Sequence, residues 1–197
     1  MKLIWLLIFF GVLIWSGTEP KDSFTWQLEV APAILAIIIL AITYKHFRLT
    51  PMLYTLILMY CIVLMIGGHY TYAEVPGFEG FFGSDHNSYD KLGHFFQGFV
   101  PALVIREIIL RKKILIQSTV WLNFMTLCII LAISAFYELI AWWLALVVPS
   151  DTIFFLGTES HQWKAQSDIA MAIVGYAVAV ILLSKAHSYQ IDQIEEF

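Results

Sequence analysis

Charge is what this sequence has least of. Asp, Glu, Lys and Arg make up 13% of its 197 residues, about half the roughly 25% usual for soluble domains, while 60% are hydrophobic. That deficit excludes an ordinary soluble domain. Cysteine is almost missing: Cys61 and Cys128 both lie inside apolar runs as small hydrophobes, which leaves neither a disulfide framework nor a thiolate metal site. The eleven Lys and Arg are scattered or stand at helix ends, so there is no basic stripe and no nucleic-acid partner is expected; the net charge of -4 suggests none either. Gly-x-Ser-x-Gly, the P-loop and His-Glu-x-x-His are absent, and with them the best-known hydrolase and nucleotide signatures. No internal repeat, low-complexity tract or linker divides the chain.

What the chain has in abundance is long apolar runs. They predict an all-α, polytopic membrane bundle of about six transmembrane helices, one integral-membrane domain over residues 1–197. Met1 to Trp15 reads as a retained first span, because the stretch Trp15 to Pro20 has no small-x-small cleavage site. Leu28 to Tyr44 is the second, with Pro32 tolerated in its first turns, and Pro51 opens a third that runs to Gly67-Gly68. A polar loop follows, carrying His69, Glu74, Glu79, Asp85 and His86. Span four begins at Asn87 or Ser88 and ends among Arg106-Glu107 and Arg111-Lys112-Lys113; Trp121 to Val148 is the fifth. Asp168 to Leu183 is the sixth, and Lys185 to Phe197 reads as a short acidic tail. Eight Lys and Arg fall in loops or ends on one side against Lys21, Lys91 and Lys164 on the other, which predicts that both termini are cytoplasmic.

The most informative stretch runs from Asp85 to Phe99, where ionisable groups enter an apolar helix. Asp90, His94 and Gln97 fall at i, i+4 and i+7 and share one helical face. An ionised group near the bilayer centre costs roughly 2.5 to 3.5 kcal/mol even on a lenient scale, so an intramembrane polar stripe points to function. Asp168 enters at the start of span six, Glu138 lies about 15 Å below the outward end of span five, and His69 and His161 stand at a similar level. Their nitrogen and oxygen donors, with no thiolate, favour zinc over iron or manganese. A bound water brought to a pKa of about 7 would supply a hydroxide, with Glu138 as ligand or general base.

Three rival readings stand beside the metal site. The same groups suit a metal-dependent hydrolase or transferase acting on a lipid-linked substrate, or a proton or ion relay. The plainer reading makes each a hydrogen-bonded lock between helices. Trp142, Trp143 and Trp163 suit an outer aromatic belt, Gly93, Gly98 and Gly175 suit close helix packing, Arg106-Glu107 suits snorkelling or pairing at the inner boundary, and Arg111-Lys112-Lys113 suits an orientation signal that also touches anionic membrane lipids.

Gly67 to Pro76, Tyr89 to Pro101, and Tyr137-Glu138 ahead of Trp142-Trp143 resemble the YjdF-like family of bacterial inner-membrane proteins, over most of the chain. Asp90-Lys91-x-x-His94, Glu138, and Asp168 ahead of Gly175 are similar, more distantly, to the VanZ-like group, some members of which are tied to glycopeptide tolerance. The resemblance implies a role in envelope integrity or in tolerance of antibiotics and toxic compounds. One motif departs from the family pattern, since His161 and Lys164 stand where the pattern has Asp. The first exchange keeps a potential ligand; the second adds a cation able to repel a metal or to pair with Glu159 or Asp168.

Overall fold

The computed structural model describes residues 2–79, 87–114, 118–147 and 163–195. They form α1 (Lys2–Gly17), α2 (Ser23–Thr43), α3 (Pro51–His69), α4 (Tyr89–Arg111), α5 (Thr119–Val147) and α6 (Lys164–Glu195), and the extended pairing among them is an isolated bridge between Glu79 and Asn87. Local chemistry sets several of these boundaries. Asp22 caps α2 by accepting a hydrogen bond from the Thr25 N–H at 2.6 Å, and that bond holds its carboxyl below the usual range. Pro51 opens α3 at a position where a missing N–H costs nothing. Ahead of α4, the Asn87 side-chain oxygen accepts from the Tyr89 N–H at 3.0 Å.

Helices α2 to α6 are each long and apolar enough to cross a membrane. At 16 residues, α1 rises only about 24 Å against a hydrocarbon core of about 30 Å. The chain runs up and down, so α2, α4 and α6 are parallel. Both described chain ends lie at one end of the bundle: Trp5 Nε1 donates to Tyr54 O at 2.7 Å, and the Met52 N–H donates to Gln190 at 3.0 Å.

Helix α4 is the centre, packed against α3, α5 and α6, and over half of its most apolar window is buried, against about a fifth in α2, α5 and α6. Its closest partner is α6. A Cβ on Gly98 would lie 1.8 Å from Ala172 O, and one on Gly175 would lie 2.0 Å from Phe95 O, so the two backbones meet where neither residue has a side chain. Above this crossing the Tyr72 ring is buried over Gly67 and Gly93, closing the loop between α3 and α4 onto the bundle. Large hydrophobics such as Ile4, Ile42, Phe136 and Ile181 face outward, as a lipid-facing surface requires.

The sixth helix corrects the expected tail. It does not stop near Leu183 but continues to Glu195, because no Gly or Pro interrupts Ser184 to Glu195. His187 and Ile191, one turn apart, are buried on its inner face. There His187 Nε2 donates to Glu107 at 2.9 Å, and Glu107 also accepts from Arg111 at 2.8 Å and from the Thr50 N–H. Arg106 donates to Ser188 at 2.7 Å and stands 3.3 Å from His187 Nδ1. Glu107 is fully buried, so the expected pairing at that boundary takes the form of a closed network tying α4 to α6 and to the start of α3.

Candidate functional site

At the opposite end of the same helix pair, α4 presents Asp90, His94 and Gln97 one turn apart. His94 is the hub. Its Nδ1 lies 3.1 Å from Gln97 Oε1, an acceptor, so Nδ1 carries the proton of that bond and Nε2 is left facing the acids. Nε2 stands 3.5 Å from Asp90 Oδ1, 3.6 Å from Glu138 Oε1 and 3.7 Å from Asp168 Oδ2. These separations exceed the 2.7–3.2 Å of ordinary hydrogen bonds. One ligand atom from each of Asp90, His94 and Asp168 falls within 4.8 Å of the other two. Asp168 is fully buried and His94 nearly so, while the Asp90 side chain is about a third exposed.

Two lysines hold the carboxylates, and one of them bonds the Asp168 oxygen that faces His94. Lys164 Nζ donates to Asp168 Oδ2 at 2.8 Å and also to Asp90 Oδ2; Lys91 Nζ donates to Asp168 Oδ1 at 2.7 Å and to Ser167. Lys164 therefore pairs with Asp168 and, in addition, with Asp90. Below the hub, the Tyr137 ring meets His94 edge-on with centroids 5.8 Å apart, and the Tyr137 hydroxyl donates to Glu29 Oε2 at 3.2 Å.

Of the six residues expected to ligate, the structure brings together four: Asp90, His94, Glu138 and Asp168, from α4, α5 and α6. His69 is placed elsewhere. Its Nδ1 lies 2.9 Å from Ser16 O and its ring stacks on Trp15 with centroids 4.8 Å apart, so it joins α3 to α1. The physical reason is position: the last residue of α3 faces the end of α1, and the chain turns away over Tyr70. His161, like Asp85, His86 and Glu159, lies outside the described residues. Glu74 pairs with Lys21 at the surface, as a solvated loop residue does.

Two residues of the site, and the role of a third, are not apparent from spacing. Glu29, 5% exposed within α2, reads as a boundary residue when the span is begun at Leu28; a start at the Asp22 cap puts it two turns inside. Gln97 appears in the stripe but not as the partner of His94 Nδ1. Lys91 looks like a flanking charge, and only the α4–α6 packing brings it to Asp168.

Comparison with known proteins agrees with this architecture. The family model described as "Predicted membrane protein (DUF2238)" matches residues 1–189. The Inner membrane protein YjdF of Escherichia coli (strain K12) is 47% identical over 183 residues, covering 91% of this chain and 87% of the relative. No solved structure matches.

Proposed function

Since the chain belongs to the DUF2238 family of predicted membrane proteins and is a multi-pass protein of the inner membrane, we propose that it holds a divalent cation, zinc first, between Asp90, His94 and Asp168, with Glu138 beside it. One observation carries this reading. Two ligands of a tetrahedral zinc, each bonded at 2.0–2.2 Å, stand about 3.3 to 3.6 Å apart, and His94 Nε2 faces Asp90 Oδ1 and Asp168 Oδ2 at 3.5 and 3.7 Å. The Nδ1 contact to Gln97 supplies what a ligating histidine needs, an acceptor that fixes the ring and turns Nε2 toward the ion. Three protein ligands leave a fourth position, with Glu138 close enough to serve as a further ligand or as a base. Lys164 competes directly for these carboxylates, since it bonds Asp90 Oδ2 and the same Asp168 Oδ2 that faces His94.

The excess of Lys and Arg at the other end of the bundle supports a periplasm-facing centre with both termini in the cytoplasm. A centre in that place serves the envelope, in its integrity or its tolerance of toxic compounds. Metal analysis of the full chain purified in detergent tests the reading. About one equivalent of zinc is expected after loading, falling below about a tenth in Asp90→Ala and His94→Ala. Less than a tenth of an equivalent in the parent protein, unchanged in those variants, overturns it.

A further inference from the structure

Positive charge gathers at the end of the bundle away from the candidate metal centre. Helix α2 runs out at Thr43 and α4 at Arg111, and the turn between α2 and α3 lies against the end of α4, where Arg111 donates to Arg48 O at 2.6 Å. The Phe47 ring joins the two. The Arg111 guanidinium lies 4.2 Å from its centroid and the Lys112 ammonium 5.3 Å, while Arg48 lies 5.3 Å from the centroid of Tyr44.

Glu107 is the acid at this corner, and its oxygens are already occupied: fully buried, it accepts from Arg111, from His187 and from the Thr50 N–H. Arg111 and Glu107 cancel in charge. Lys45, Arg48, Lys112 and Lys113 remain, all exposed, and none of the four is ion-paired among the described residues. The exposed Asp192 of α6 pairs with none of them either. At Lys113 the backbone is left-handed, with φ 50°, in the position after a helix end where glycine is the usual residue. A cation is kept there against the preference of the backbone.

Lipid-facing side chains run up to these charges on both helices. Ile42, 70% exposed, comes two residues before Tyr44, and the exposed Ile108 lies one turn below Lys112, whose N–H donates to its carbonyl. The cations therefore stand where hydrocarbon gives way to head groups. Four unpaired cations at that level favour an anion anchored in the bilayer, whereas a zwitterionic head brings its own ammonium and gains less.

We propose that the turn after α2 and the end of α4 form a binding site for an anionic phospholipid, its phosphate among Lys45, Arg48, Lys112 and Lys113 and its chains in the bilayer beside Ile108. The site draws nothing from the metal reading, since Lys112 stands about 33 Å along α4 from Asp90.

The test uses the full chain, purified in detergent and stripped of lipid, with phosphatidylglycerol, phosphatidylcholine of the same chains and glycerol 3-phosphate as probes and native mass spectrometry as the readout. Phosphatidylglycerol is expected to bind at least roughly tenfold more tightly than either of the others. Lys112→Gln with Lys113→Gly removes two cations while giving the left-handed position the residue it favours, so phosphatidylglycerol binding is expected to fall at least roughly tenfold with the melting temperature of the lipid-free protein unchanged. Lys45→Gln with Arg48→Gln is expected to give the same loss from the other side of the site. Lys185→Gln, which removes an exposed cation from α6, is expected to leave binding as it is. Equal binding of phosphatidylcholine overturns selection by charge, and equal binding of glycerol 3-phosphate overturns the lipid in favour of a free anion. Full binding in both double variants, or an equal loss in Lys185→Gln, overturns the site. Zinc content is read on the same samples: a chain that holds zinc without preferring phosphatidylglycerol overturns this inference alone, and one that prefers phosphatidylglycerol without holding zinc overturns the metal reading alone.

Discussion

Asp90, His94 and Gln97 owe their legibility to arithmetic. Residues four and then three apart share a helical face whatever surrounds them, so their meeting follows from the sequence alone. Glu138 and Asp168 were legible through depth, because a carboxylate placed that far into a span must find polar company. His69 carries the same donor chemistry but sits at a helix end, where Ser16 O satisfies it locally. Lys164 is the residue whose effect on the centre is sharpest. Its ammonium and a metal would compete for Asp90 and Asp168. Removing it as Lys164→Gln is expected to raise zinc affinity about tenfold, or 1.4 kcal/mol, in competition with a chromogenic chelator. Weaker zinc binding in that variant would instead make Lys164 a positioning residue for the two carboxylates.

Among the helices, α4 and α6 form the pair that matters most, and Gly98 and Gly175 set how close they come. Glycines at an interface are visible in sequence, but which helices they join is not, since small residues allow close approach without naming a partner. The length of α6 was hidden for a different reason. A polar tail reads as solvated when its apolar residues are few, yet His187 and Ile191 are spaced to lie on one buried stripe. The crossing also makes an expectation. Gly98→Ala places a methyl where Ala172 O already stands and must push the helices apart, at about 1 to 3 kcal/mol. Melting of the purified protein should fall accordingly, and zinc uptake should fall with it, because Asp168 rides on α6 and His94 on α4. Full zinc occupancy in a destabilised Gly98→Ala protein would show that the centre tolerates separation of the pair.

For the molecule as a whole, the helical class and the order of the spans were plain from hydropathy, whereas the standing of α1 was not. Its 16 residues fall short of the bilayer core by about 6 Å, although Phe9 is fully buried against the bundle and Trp5 is tied to α3. These attachments fix α1 as an integral part of the bundle, threaded alongside α3. Reporter fusions to the two termini are therefore expected to report the cytoplasm at both. A periplasmic signal at the amino terminus alone would mean that five helices cross and that α1 does not.

The α4–α6 pair is pinned in three places: by Lys91–Asp168 and Lys164–Asp90 at one end, by bare backbone contact in the middle, and by Glu107–His187 and Arg106–Ser188 at the other. Sliding one rod past its neighbour would break all three at once. The pair therefore behaves as a rigid strut, against which α3 and α5 are set.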